Sequence, residues 1–224
     1  MVLDIERIRA LCFDVDGTLR DTDDEYVNRL AGYLSKILPP GREPQAIARR
    51  MVMAVEDPGN LALGLADRLG LDSLFTRVLH AVERPRPIKA EKPMMIAGVR
   101  EMLEKLGQSF PLAIISARSQ RITMEFLQGY QLEGLFRVIV TGQTCQRTKP
   151  HPMPVLWAAE KMGVPPEACL MIGDTVVDIR AGRAAGAQTV GVLCGFGRKD
   201  ELLRAGAHLI LKTTSELESY LHGR

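Results

Sequence analysis

The chain has little that would tie it to a membrane, a nucleic acid or an oxidising compartment. No apolar stretch in its 224 residues approaches the ~18 that a membrane span needs. The first ten residues (MVLDIERIRA) bring acids at once and leave no apolar run long enough for a signal peptide. Neither sign of charge is in excess: 29 Lys and Arg stand against 27 Asp and Glu, too mild a balance to imply binding to nucleic acid or a membrane surface. Segment 20–92 holds 12 basic and 11 acidic residues, so no part of the chain concentrates charge either. The four cysteines, Cys12, Cys145, Cys169 and Cys194, form no C-x-x-C pair. Three lie in or beside apolar strand-like runs, which reads as buried free thiols in a reducing cytoplasm rather than disulfides or a metal site. Internal repeats and low-complexity tracts are absent. The expectation is a soluble cytoplasmic protein of ordinary composition, with 46% hydrophobic and 25% charged residues, forming one large domain or a core with a smaller companion.

What is present is an alternation of two textures. An apolar run at 8–13 (IRALCF) reads as a buried strand. From 24 to 82 the apolar residues instead recur near helical spacing, in four stretches separated by Pro39-Pro40-Gly41, Asp57-Pro58-Gly59 and Gly70, and Pro85 and Pro87 end the segment. No strand-like run interrupts it, so residues 20–92 read as a helical insertion. After Pro93 helix and strand alternate: strands at 112–116, 135–141, 169–173, 189–193 and 208–211, with helices at 99–106, 120–130, 154–162, 176–185, 199–205 and 215–221. Apolar strands in strict alternation with helices predict an α/β fold, a Rossmann-like parallel sheet with helices on both faces. The core is expected at 1–19 plus 93–224 and the inserted α-helical domain at 20–92. Sheets of this kind bind ligands at the carboxyl ends of their strands, near a switch in strand order.

The polar residues at those strand ends converge. The first strand delivers Asp14 and Asp16 in DVDGTL, and the second delivers Ser116. Lys149 follows the third in TKPHP, and the fourth delivers Asp174, with Asp178 one helical turn later in GDTVVD. Carboxylates held close repel unless a cation or a proton relieves them, so Asp14 and Asp16 suggest a metal site, an acid/base pair, or both. Oxygen ligands suit a hard cation such as magnesium. A lysine and a hydroxyl alongside suit a phosphate, with backbone N–H groups of the loop as further donors.

Taken together, DVDGTL (14–19), IIS (114–116), TKPHP (148–152) and IGDTVVDI (172–179) resemble the haloacid dehalogenase superfamily, in particular its phosphatase branch with a helical cap after the first strand. The tail 191–211 resembles the phosphoglycolate-phosphatase-like group. The resemblance implies a Mg²⁺-dependent phosphatase of a small phosphorylated metabolite, with phosphoglycolate as the group's suggestion. Asp14 would be the nucleophile and form an aspartyl-phosphate. Asp16 would protonate the leaving alcohol and then take a proton from the attacking water. Ser116, Ala117 and Lys149 would bind the phosphoryl group, with Lys149 also restraining Asp14. Asp14, the backbone carbonyl of Asp16, and Asp174 would hold the metal, and Asp178 would order metal-bound water or Lys149. The cap would close over the substrate and expel water. Asp at position 16 sets the chain apart from dehalogenases, whose halide leaves without an acid, and from the ion-pumping branch. A phosphomutase stays open as the alternative on the same scaffold, as does a non-catalytic binding protein. Substrate and oligomeric state are not legible.

Several residues admit a plainer reading. Ala117 and Arg118 stand where the phosphoglycolate-phosphatase group usually shows Asn. Arg118 and Arg20 either reach an anionic substrate or face solvent. Asp21, Asp23 and Asp24 read as first-turn acids favoured by the helix dipole, His151 as a loop residue, and Arg49 and Arg50 as a solvated helix face. Lys36, the one lysine in the predicted cap helices, gives little support to a phosphonate-cleaving activity.

Overall fold

The sheet owes its form to strands that are apolar on both sides. In the computed structural model, residues 2–21 and 94–222 are described, with positions 31, 32, 34, 35, 43, 44 and 47 between them. Six parallel strands, β1 (Ala10–Phe13), β2 (Leu112–Ile115), β3 (Val138–Val140), β4 (Cys169–Gly173), β5 (Gln188–Val192) and β6 (Leu209–Leu211), lie in the order β3-β2-β1-β4-β5-β6. The chain leaves β1 to one side for β2 and β3, then crosses to the other for β4, so the order reverses at β1. That places the carboxyl ends of β1, β2 and β4 around one crevice.

Residues alternate between the two faces. Leu11, Phe13, Leu112, Ile114, Leu170 and Ile172 share one core with Val99, Met102, Leu103 and Leu106 of α1 (Val99–Leu106), Phe126 and Leu127 of α2 (Gln120–Gly129), and Leu217 and Leu221 of α6 (Glu216–His222). Their i, i+3, i+4, i+7 spacing makes α1 a helix with one apolar stripe. Burying one such Leu contributes ~1.5–3 kcal/mol. The other face is lined by smaller residues, Ala10, Cys12, Ala113 and Ile115, and takes α3 (Met153–Met162). Against β4 and β5 packs α4 (Val176–Ala184), flanked by α5 (Lys199–Ala205). There Gly182 lies so close to the sheet that a Cβ would stand 2.6 Å from Thr189 Cγ2 and 2.8 Å from Met171 Cβ.

The strand expected at 169–173 has those bounds and that at 189–193 is shifted by one residue, while the others are shorter than the apolar runs that announced them. Residues 135–141 give strand only at Val138–Val140, because Glu133–Leu135 closes a 3₁₀ turn with the Leu135 N–H bonded to the Leu132 carbonyl. The chain falls into two compact units, Met1–Asp23 with Pro93–Arg224, and Asp24–Lys92. The first unit thus runs past Leu19. Its extra residues are held by backbone bonds from Arg20 N to Val15 O (2.9 Å) and from Asp21 N to Met94 O (2.8 Å). Of the predicted insertion helices, positions 31, 32, 34, 44 and 47 are described and are helical; Asp23, Asp24, Lys36, Arg49 and Arg50 lie outside the described residues. Among the described residues no helix is long and apolar enough to cross a membrane.

Candidate active site

Four strand ends bring the predicted residues to one edge of the sheet. β1 ends at Phe13, so the next residue, Asp14, leaves the sheet with its N–H still bonded to the Ile172 carbonyl of β4 (2.9 Å). Ser116 follows β2 in the same way, its N–H donating to Val140 O at 2.9 Å. Asp174 follows β4, and Asp178 is the third residue of α4. Asp14, Ser116, Lys149, Asp174 and Asp178 are all buried.

Lys149 binds the group together. Its Nζ donates to Asp14 Oδ1 at 2.6 Å and to Asp178 Oδ1 at 2.5 Å. Asp178 in turn accepts on Oδ2 from Thr175 N (3.0 Å) and Thr175 Oγ1 (2.7 Å). This is a capping box: Thr175 caps α4 while the acid three residues on reaches back. Burial opposes the charge on Lys149, yet two carboxylates outweigh it and hold its pKa above the ordinary lysine value. Asp14 receives only a share of that ammonium. Burial, reinforced by the charges of Asp178 and Asp16, pushes its carboxyl up to about 7 against the pull of Lys149.

Asp174 sits in a cradle of its own. Phe196 N donates to its Oδ2 at 2.8 Å and Thr18 Oγ1 to its Oδ1 at 3.4 Å. A Cβ on Gly17 would stand 2.3 Å from Asp174 Oδ2, and one on Gly195 2.1 Å from it, so both turns require glycine to approach the carboxylate. Gly17 also has φ +72°, a conformation that L side chains rarely adopt. Cys194 Sγ ties the two turns by donating to the Gly17 carbonyl at 3.4 Å.

One carboxylate oxygen each from Asp14, Asp174 and Asp178 lie within 4.8 Å of one another, a group that could hold a metal ion. Three buried carboxylates against one ammonium leave two negative charges in excess, and all the donors are oxygens. The donor set therefore fits a divalent hard cation. Asp178 is engaged on both oxygens by Lys149 and Thr175, and Asp174 on both by Phe196 N and Thr18 Oγ1, so a cation would share oxygens that already accept hydrogen bonds.

Asp16 faces a different environment from Asp14. Its Oδ2 accepts from Arg118 Nε at 3.0 Å, and Arg20 Nη1 stands 3.6 Å from its Oδ1. Neither arginine was expected there; the sequence offered an anionic substrate or solvent for each, and no spacing pairs residues 16 and 118. Ser116 Oγ accepts the Arg118 N–H at 3.1 Å, while the Ala117 side chain is exposed. His151 Nδ1 accepts the N–H of Met153 at 3.1 Å, in keeping with its reading as a loop residue. Sequence reasoning missed the supports of Asp174, although Thr18 and Gly195 both lie within stretches that the resemblance covered.

The sequence matches the profile of the haloacid dehalogenase-like hydrolase family over residues 11–192. A phosphoglycolate phosphatase of Aquifex aeolicus is 31% identical over 84% of this chain and 86% of its own length. One from Chromobacterium violaceum is 28% identical over 96% and 97%. Among solved structures, a haloacid dehalogenase family hydrolase of Deinococcus radiodurans with bound phosphate and sodium superposes with a TM-score of 0.71 at 26% identity, covering 97% of this chain and 96% of that one.

Proposed function

The chain belongs to the haloacid dehalogenase-like hydrolase family, and from that premise we propose that it is a phosphatase that hydrolyses a small phosphorylated metabolite in two steps. In the first, a carboxylate oxygen of Asp14 bonds to phosphorus as the bond to the alcohol oxygen breaks, and Asp16 gives that oxygen a proton. In the second, water gives a proton to Asp16 and attacks the aspartyl-phosphate, releasing inorganic phosphate and the Asp14 carboxylate. Splitting the displacement lets one pocket serve both halves.

The observation that carries this reading is the Lys149 ammonium lodged between Asp14 and Asp178. A carboxylate attacking an anion must be opposed by fixed positive charge, since phosphoryl transfer is mostly positioning and electrostatics. Lys149 supplies that charge, and Asp178 with Thr175 keeps it aimed. Ser116, whose Oγ already accepts the Arg118 N–H, is left to donate its proton to a phosphoryl oxygen. The loop at Ala117 offers backbone donors. Asp14, Asp174 and the backbone carbonyl of Asp16 would hold Mg²⁺, which when bound supplies charge neutralisation at the phosphoryl group.

The relatives named phosphoglycolate phosphatase make 2-phosphoglycolate the first substrate to try, and we assign substrate selection to a cap at 20–92. The test is phosphate release by the purified protein with Mg²⁺ from a panel of 2-phosphoglycolate, sugar phosphates, nucleotides and pyrophosphate. Release that EDTA abolishes is expected from at least one ester; no release from any of them refutes the reading. Hydrolysis that needs no bisphosphate activator separates a phosphatase from a phosphomutase.

A further inference from the structure

Asp16 has two unlike oxygens. Its Oδ2 is fixed by Arg118 Nε at 3.0 Å, whereas its Oδ1 is buried and, among the described residues, has no hydrogen-bond partner. Arg20 Nη1 stands 3.6 Å from Oδ1, beyond hydrogen-bond reach. An unpaired buried carboxylate oxygen is costly, and that cost is relieved when a donor or an acceptor of a shared proton arrives beside it. The torsion that turns an aspartate carboxyl about its own axis is broad and two-fold. Without an anchor, its two oxygens would exchange freely.

Arg118 is well built as such an anchor. Its backbone is pinned on both sides: its N–H donates to Ser116 Oγ at 3.1 Å, and its carbonyl accepts the Gly142 N–H at 2.8 Å. The loop is tight there, since a Cβ on Gly142 would stand 2.4 Å from the Ala117 carbonyl oxygen. The guanidinium thus starts from a fixed point beside the serine at the end of β2 and reaches across to the acid at the end of β1. Its side chain is 32% exposed and that of Asp16 13%, so the pair is partly open to solvent.

We propose that Arg118 is a positioning residue for Asp16: it holds Oδ2 and thereby presents Oδ1 as the oxygen that exchanges the proton with the leaving alcohol and the attacking water. This rests on the phosphatase reading above. In the first step the proton moves from Asp16 to the ester oxygen as the P–O bond breaks, so in that step only esters with a poor leaving group depend on how Asp16 is held; the water step that follows is common to all esters. p-Nitrophenyl phosphate releases a stable anion and needs little such help.

The experiment compares wild type, Arg118→Ala, Asp16→Asn and the double variant. The substrates are p-nitrophenyl phosphate and the alkyl phosphate that the panel identifies. General acid–base catalysis contributes about 10²–10⁴-fold. Arg118→Ala is expected to lower kcat/KM, which reports the first step, on the alkyl ester by about 10²-fold and on p-nitrophenyl phosphate by less than about tenfold. In the Asp16→Asn background it should add almost nothing. Should Arg118→Ala fold poorly, Arg118→Met keeps the aliphatic stem and gives the same comparison. An equal loss of kcat/KM on both esters, or a loss that persists undiminished in the Asp16→Asn background, overturns the proposal; the first outcome would assign Arg118 to the phosphoryl group that both esters share. A wild type that hydrolyses neither ester overturns the phosphatase reading, and the inference falls with it.

Discussion

Replacing Asp14 by Asn should stabilise the metal-free protein while removing its activity. Asp14 is raised from 3.8 to about 7 by burial first, then by its acidic neighbours. Between those two values the folded protein holds a proton that the unfolded chain has released. Stability therefore falls as pH rises through that window, and the whole penalty is in force above pH 7 and absent below the unfolded value. About three pH units correspond to about 4 kcal/mol. Lys149, whose pKa is shifted upward, stays charged throughout and adds no slope. Asn at position 14 is neutral at every pH and nearly the same shape. In EDTA, the difference in unfolding free energy between Asp14→Asn and wild type should grow from near zero at pH 4 to about +4 kcal/mol at pH 8. For a chain of this size that is on the order of 10 °C in melting temperature. Urea unfolding followed by circular dichroism measures it across pH, and taking the difference cancels the other titrating groups. Adding Mg²⁺ should shrink the gap by stabilising wild type alone. An Asp14→Asn protein less stable than wild type at pH 8 in EDTA, or a difference that does not vary with pH, refutes the reasoning.

Lys149→Met strands two buried carboxylates and should cost about 3–5 kcal/mol in the metal-free protein, read by the same melts, with turnover lost. Gly195→Ala drives a methyl against the Asp174 carboxylate, so half-maximal activity should require at least about tenfold more Mg²⁺, a change of about 1.4 kcal/mol; an unchanged metal titration would show that the cradle tolerates it. Thr175→Val removes the cap of α4 and one bond to Asp178. A loss of about 1 kcal/mol in stability is expected, together with a lower kcat; a drop in stability alone would separate capping from Lys149 placement.

The sheet was legible because its strands carry apolar residues on both sides and end at turn signals. The strand order was not legible: the general rule for alternating α/β chains gives a parallel sheet with a switch point, and which strands neighbour one another came from the structure. The carboxylates, Ser116 and Lys149 could be picked out because chemistry-bearing residues followed strand ends four times. Partnerships across long separations had no such signature. Arg118 and Arg20 meet Asp16 through the three-dimensional course of two loops, and the amide of Phe196 that supports Asp174 is a backbone group, invisible in residue type. Strand ends were overestimated at 135–137 because apolarity persists there while the backbone turns into a 3₁₀ bend before β3.

Gly182 lies one helical turn beyond Asp178 on α4, pressed against Met171 and Thr189. It acts as a spacer that sets the height of α4 above the sheet, and the first turn of that helix carries the acid that aims Lys149. A larger residue at 182 would lift the helix and carry Asp178 with it. The reach of the ammonium toward Asp14 is thus calibrated on the opposite side of the helix from solvent, at a position with no polar atom of its own beyond its backbone. Variation that alters turnover in this protein need not touch the crevice; it can arise where a glycine decides how closely a helix rests on its sheet.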